Sequence, residues 1–151
     1  MAKTQAIGRR VLRPDAVDKV TGRARFPGDL TMDKVLAVKV LFSTQAHARI
    51  VSIDTSQAES LPGVVAVLTH KDVPVNEYGL IYKDQPALNG DKVRSVFDRV
   101  ALVVAETQQI ARQARDLIKV EYEPLPVLTD PREAMKPGAV TIQEEWPDNI
   151  Q

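Results

Sequence analysis

The sequence predicts an α+β domain: a mixed sheet carrying two strand–helix–strand units, with extended arms at the N- and C-termini. Three observations lead there. Val100–Ala105 (VALVVA) is a continuous apolar run of strand length, followed by an apolar stripe at helical period and then by alternation at period two. Arg49–Thr69 (RIVSIDTSQAESLPGVVAVLT) has the same strand–helix–strand layout without residue-level repetition. The chain has 151 residues with 44% hydrophobic and 26% charged side chains, which is the composition of one ordinary globular domain.

The elements follow in order. Residues 1–12 have no period and read as an N-terminal arm, in which Arg9 and Arg10 are the prominent charges. Residues 13–138 make the domain. Its first part, Arg13–Leu30, is dense in turn formers (Pro14, Asp15, Gly22, Pro27, Gly28, Asp29), with Arg23–Phe26 as a short edge strand between two turns. Val35–Phe42 and Arg49–Asp54 are strands. Thr55-Ser56 caps a short helix through Leu61, Pro62-Gly63 ends it, and Val64–Leu68 returns as a strand. Val73–Gly90 has Pro74, Gly79, Pro86 and Gly90 and little period, and a connection of that length inside a domain tends to be functional or flexible.

Asp91–Pro124 is the best-patterned stretch and reads strand, strand, helix, strand. The VALVVA run suits a strand buried on both faces. Thr107 is the expected N-cap, and Ile110, Ala111, Ala114, Leu117 and Ile118 form one helical stripe, with Arg112 and Asp116 spaced for an i,i+4 pair. Ile118, Val120 and Tyr122 then face inward while Lys119, Glu121 and Glu123 face water. Asp130-Pro131 starts a short helix ending near Lys136–Gly138, with proline at its first position. Residues 139–151 read as an extended C-terminal tail. It carries the only tryptophan, Trp146, which either folds back on the domain or anchors on another chain.

Composition excludes several functions. Lys+Arg and Asp+Glu are both 20, so nothing favours nucleic acid or a membrane surface as partner. The charge is uneven: residues 1–25 hold seven basic and two acidic side chains, and residues 120–151 seven acidic and two basic. Without cysteine the chain alone can hold no disulfide, thiolate zinc site or iron–sulfur cluster, and His47 and His70 are too few for the usual metal site. No apolar run reaches the ~18 residues of a membrane span. No apolar segment follows Arg9-Arg10 as an export signal would require, so the cytoplasm is the expected location.

No spacing marks an active site. Glu121 and Glu123 are about 7 Å apart along one strand face, which overlaps the carboxylate separation of inverting glycosidases, yet such alternation ordinarily marks a solvated surface. His47 reads as a turn histidine satisfied by backbone groups and His70 as a surface residue at a strand end. Gly22–Gly28 lacks both phosphate-loop spacings. Gln45, Gln85 and Arg94 are polar residues without an assignable role. By spacing alone, a free-standing module binding a small ligand at Val73–Gly90, or a protein-interaction module with no redox role, stays open, with a hydrolase built on Glu121 and Glu123 far behind.

Four ordered segments, RPDAVDKVTGRARFPGDL (13–30), KVLAVKVLFSTQAHARIVSIDTSQAESLPGVVAVLTHKDVP (34–74), DKVRSVFDRVALVVAET (91–107) and IKVEYEPLPVLTDPREAM (118–135), resemble the opening of the large molybdenum-binding subunit of the xanthine dehydrogenase and aldehyde oxidase family. The resemblance covers nearly the whole chain and implies that subunit's small N-terminal α/β hammerhead domain. It implies a part of a molybdenum-dependent oxidoreductase, with a structural and assembly role and no activity of its own. Family members hydroxylate aldehydes or N-heterocycles at a molybdopterin-bound molybdenum, with electrons leaving through iron–sulfur clusters, usually to a flavin (FAD), on other subunits or domains.

The implied partners are therefore a molybdopterin-binding subunit, an iron–sulfur subunit and a flavoprotein subunit. The cofactor loops and general-base glutamate belong to the longer region that follows, so no catalytic, cofactor or metal residue is expected here. Arg9, Arg10, Tyr78, Tyr82 and Trp146 are the expected partner-facing residues. With Met1 first and Gln151 last, the sequence reads as a split subunit or a shortened chain. One turn departs from the family pattern V-G-[DE]-P-V-A: Val96–Ala101 reads VFDRVA, and Phe97 cannot take without cost the positive φ that glycine allows.

Overall fold

The computed structural model describes Gly8, Arg10–Leu30 and Met32–Ile150, and the chain divides after Val35 into two compact units. In the first unit the turn formers produce a helix rather than an edge strand. Helix α1 (Ala16–Val20) begins after Asp15, whose carboxylate is held by Lys19 at 2.7 Å and Arg13 at 2.5 Å; these two cations keep its pKa below the usual carboxylate value. A 3-10 turn, Pro27–Asp29, follows. The strand expected at Arg23–Phe26 does not form. Its amides are already used, Ala24 N–H on the Asp18 carbonyl (2.9 Å) and Phe26 N–H on the Asp29 carboxylate (2.9 Å), which leaves little for a ladder. No described residue of this unit is buried.

The second unit holds the strands β1 (Ala37–Phe42), β2 (Ala48–Asp54), β3 (Val64–Leu68), β4 (Glu77–Tyr78), β5 (Gln85–Pro86), β6 (Lys92–Val93), β7 (Arg99–Ala105) and β8 (Lys119–Pro124). Its helices are α2 (Ser56–Glu59), α3 (Gln108–Leu117) and α4 (Pro131–Ala134). The fold class is the expected one, but the sheet is divided. In place of one mixed sheet there are two antiparallel three-stranded sheets, ordered β1-β7-β3 and β6-β2-β8, and a β4-β5 ribbon. Both predicted strand–helix–strand units cross between the sheets, β2-α2-β3 in one direction and β7-α3-β8 in the other. Each helix therefore ties the two sheets together.

The best-patterned stretch folds as its periods dictate. The Thr107 hydroxyl accepts the Ile110 N–H at 3.2 Å, capping α3. Ala111 and Ala114 are fully buried on the helix stripe, and β7 is central in its sheet with Val100, Ala101, Val103 and Ala105 buried. Contacts between helix and sheet run through small side chains: Ala58, Ala101 and Ala114 in one cluster, Ala37, Ala105 and Ala111 in another. Backbones can approach closely at such seams, and every added methylene must be accommodated by a shift.

Other local expectations change. Asp116 pairs with Arg115 at 2.7 Å, not with Arg112, because the adjacent guanidinium already reaches it. Helix α2 spans a single turn, and its first amide is satisfied by Asp54, whose carboxylate accepts Ser56 N–H (3.0 Å) and Oγ–H (2.6 Å), while the Thr55 hydroxyl donates to Glu59. Gly63 closes that helix at φ 86°, where a Cβ would meet Ile110 Cδ1 at 2.7 Å. The Val96–Arg99 turn needs no left-handed residue. Asp98 accepts the N–H groups of Arg94 (2.6 Å) and Ser95 (3.2 Å), so a carboxylate closes the turn, and Phe97 sits outside against Phe42 with centroids 6.5 Å apart.

Candidate functional site

The region without period, Val73–Gly90, is ordered by side chains acting as backbone. A 3-10 turn, His70–Asp72, precedes it, with the Asp72 carboxylate accepting Thr69 N–H (2.7 Å) and Oγ–H (3.0 Å); these bonds lower its pKa. The amide of Asn76 then pairs with the backbone of Leu88, Nδ2 donating to its carbonyl at 2.8 Å and Oδ1 accepting its N–H at 3.0 Å. This local mimic of a strand pair brings β4 against β5. Gly79 is needed at the turn, since a Cβ there would stand 1.6 Å from the Tyr82 carbonyl oxygen. Leu80 and Ile81 form the fully exposed tip.

The tail folds back beside this hairpin as a strap. Asn149, at φ 57°, organises it: its amide donates to the carbonyls of Ala134 (2.9 Å) and Val140 (3.0 Å) and accepts Ile142 N–H (2.8 Å). Asparagine tolerates the left-handed region better than most residues. Glu144 then bridges two cations of the β6 region, Oε1 to Lys92 Nζ at 2.6 Å and Oε2 to Arg94 Nη2 at 3.1 Å. Arg94 Nε also donates to the Ile142 carbonyl at 2.8 Å. The bond from Lys92 holds the Glu144 carboxyl below its usual pKa, against a smaller opposing effect of desolvation.

Between hairpin and strap lies an open cleft of about 760 Å³, with His70, Asn76, Lys83, Asp84, Arg94 and Glu144 among its lining residues. The His70 ring packs over Gly90, where a Cβ would stand 2.2 Å from it. The residue is half-buried and its Nδ1 is buried without a partner, so it is not the surface histidine expected. His47 is buried in the β1–β2 connection. Its Nδ1 lies 2.6 Å from the Pro126 carbonyl, so the backbone satisfies one nitrogen as expected, while Nε2 has no partner. Burial raises the pKa of the Tyr122 phenol despite an opposing hydrogen bond with Ser43.

Tyr82 and Trp146 meet edge to face with centroids 5.3 Å apart, joining the tip of the hairpin to the strap. Tyr78 stands on the same hairpin, its hydroxyl bonded to Arg99 and its ring 5.5 Å from that guanidinium. Arg10 is exposed in the first unit, and Arg9 lies outside the described residues. Glu121 and Glu123 are exposed on β8, Glu121 accepting from Ser52 at 3.3 Å. Sequence reasoning missed Lys92, Asn76, Glu144 and Asn149. The two asparagines stand in turn-rich segments, which is their only sequence signal, while Lys92 and Glu144 sit among other charged residues and have none.

Among the described residues no group of three or more His, Cys, Asp and Glu side chains could hold a metal ion, and the chain has no cysteine to supply thiolates to an iron–sulfur cluster. No described helix is long and apolar enough to cross a membrane.

Comparison with known proteins agrees with the fold. Residues 21–126 match the family model described as aldehyde oxidase and xanthine dehydrogenase, a/b hammerhead domain. A probable xanthine dehydrogenase subunit from Bacillus subtilis is 47% identical over 135 residues, covering 89% of this chain and 18% of that protein. The carbon monoxide dehydrogenase large chain of Afipia carboxidovorans is 39% identical over 152 residues, covering 98% of this chain and 19% of that protein. Among solved structures, the Cu,Mo-CO dehydrogenase in its carbon monoxide reduced state superposes with a TM-score of 0.83 at 38% identity, over 95% of this chain and 18% of the other. The chain thus spans less than a fifth of the length of these relatives.

Proposed function

We propose an assembly function from one premise: the chain belongs to the aldehyde oxidase and xanthine dehydrogenase family, as its a/b hammerhead domain. In this reading it is the scaffolding part of a molybdenum hydroxylase, set beside the molybdopterin-binding part, which carries the chemistry. The complex would oxidise its substrate by hydroxylation at molybdenum with water as oxygen source, and pass electrons through iron–sulfur clusters to a flavin. Its partners would be a molybdopterin-binding polypeptide, an iron–sulfur subunit and a flavoprotein, in the cytoplasm.

The supporting observation is that no described residue before Val35 is buried, although Val11, Leu12, Val20 and Met32 are large and apolar. Such a segment gains its stability from surface that another polypeptide covers. Arg10, Tyr78, Tyr82 and Trp146 are the residues we place toward partners, together with Arg9. Aromatic and arginine side chains are enriched at interface centres.

Affinity purification of the tagged chain from cells that make the whole complex tests the reading. Molybdenum, iron and flavin are expected to follow the complex and to be absent from the chain alone. Recovery of the chain as a stable monomer that ignores molybdopterin-binding polypeptides of the family would overturn it. The competing reading, a module binding a small ligand in the hairpin cleft, is favoured only by the volume of that cleft. Seven of its fifteen lining residues are charged, more than the mostly apolar walls of small-molecule sites carry.

A further inference from the structure

The contacts of Lys92 and Arg94 are lopsided. Both cations are largely buried, with side-chain exposures of 5% and 16%, whereas the carboxylate between them is 64% exposed. Their other partners are carbonyls: Thr141 O at 3.4 Å from Lys92 Nζ, and Ile142 O (2.8 Å) and Lys92 O (3.4 Å) around Arg94. Apart from the carbonyl of Lys92 itself, every one of these acceptors comes from the strap. Residues 139–150 include no buried residue, so polar contacts and the Trp146–Tyr82 pair, rather than a buried core, hold the strap in place. The charges that need a counter-ion belong to the body, and the counter-ion sits on a removable piece.

We propose that Lys92 and Arg94 form a carboxylate receptor at β6, filled in this chain from within by Glu144, so that the strap is an exchangeable latch. The geometry selects the ligand class. One oxygen goes to the ammonium and the other to the guanidinium, a bridge that a planar two-oxygen anion makes and a spherical anion cannot reproduce. A buried cation left without its partner is costly, so an emptied receptor recruits another carboxylate. That carboxylate is either a small free acid or an acidic side chain on a segment running where the strap runs. Because the strap also brings Gln143, Glu144 and Glu145 to the cleft and Trp146 to Tyr82, exchange at the receptor removes one wall of the cleft.

The test uses the full chain carrying Glu144→Ala, melted in acetate or in chloride at equal ionic strength, and with a synthetic peptide of residues 139–150. The variant is expected to melt below the parent. Acetate or the peptide should raise its melting temperature saturably while chloride does not, and the response should vanish in Lys92→Met/Glu144→Ala. A peptide effect at far lower concentration than acetate identifies a strap-like acidic segment as the preferred occupant; an effect of acetate alone identifies a small acid. Equal responses to acetate and chloride, or a response that survives loss of Lys92, overturn the proposal.

If Glu144→Ala folds too poorly to melt, Glu144→Gln carries the same comparison. A second readout needs no stability change. Lys92 should be the slowest lysine to acylate in the parent, become reactive in Glu144→Gln and be protected again by acetate. A Lys92 that reacts in the parent as fast as the exposed lysines contradicts the receptor.

Discussion

Ala114 and Glu144 stand for two parts of this molecule that are held together differently. Ala114 is fully buried in the apolar cluster where α3 meets α2 and β7, and its contribution comes from volume and removal from water. Glu144 is exposed, lies on a strap with no buried residue, and its contribution comes from two cations behind it. The body would tolerate loss of any one surface charge and very little added volume. The strap would tolerate added volume at its exposed positions and little change of charge, while the hairpin beside it has no room for a Cβ at Gly79. A structural part can thus keep a stiff centre while presenting an adjustable edge to its neighbours.

The strongest way to break this contrast is to enlarge the seam of the body. Ala114→Leu should cost about 3 kcal/mol, the upper end of overpacking, because helix and sheet meet there through alanines on both sides. Urea denaturation followed by far-UV circular dichroism measures it. Ala139→Leu on the strap is the matching enlargement at the rim and should fall within about 0.5 kcal/mol of the parent. If both variants lose similar stability, the distinction between volume-held and charge-held regions fails.

The next effect is electrostatic. Glu144→Ala should cost about 2 kcal/mol, less than the roughly 3–5 kcal/mol of a wholly buried pair because water screens the exposed carboxylate. Lys92→Met, which removes the buried charge together with its need for a partner, should cost under about 1 kcal/mol or even stabilise. The asymmetry between the two variants, read from melting curves, separates a counter-ion requirement from simple attraction. Thr107→Ala ranks below Glu144→Ala, at about 1 kcal/mol, the usual cost of losing a side-chain cap, and should destabilise the body while leaving the strap in place.

The same contrast explains what was legible in the sequence. The VALVVA run, the Ile110–Ile118 stripe and the alternation at Ile118–Tyr122 announce the body because periodicity reports which side chains share a buried face. The family resemblance supplied the hammerhead assignment, which periodicity does not contain. The rim has no such period. Asn76 stands in for a backbone amide, Asn149 ties three backbone groups, and Lys92 meets a glutamate 52 positions away. Each is a single long-range hydrogen-bonding decision, invisible to any local window. The division of the strands into two sheets was hidden for a related reason: crossover helices look alike whether they return to the same sheet or bridge to another. The geometry of the Val96–Arg99 turn was not legible because a side-chain carboxylate, Asp98, takes the place of the backbone geometry that glycine would supply.

The smallest expected effect is also the most specific to the rim. The Glu144 carboxyl has its pKa lowered in the folded chain, chiefly by its bond to Lys92, so its contribution to stability is fully present above the pKa it has when unfolded. Below that value the unfolded state binds the proton first, and the contribution is lost as pH falls through the folded pKa. Trp146, the only tryptophan, sits on the strap against Tyr82 and reports that loss directly. On acidification its emission should shift toward that of a solvent-exposed indole before the far-UV signal of the β7–α3 body changes. In Glu144→Gln the early step should be missing and the emission solvent-like from neutral pH. Coincident transitions of Trp146 and the backbone in the parent would mean that strap and body unfold as one, and that the rim is not separately held.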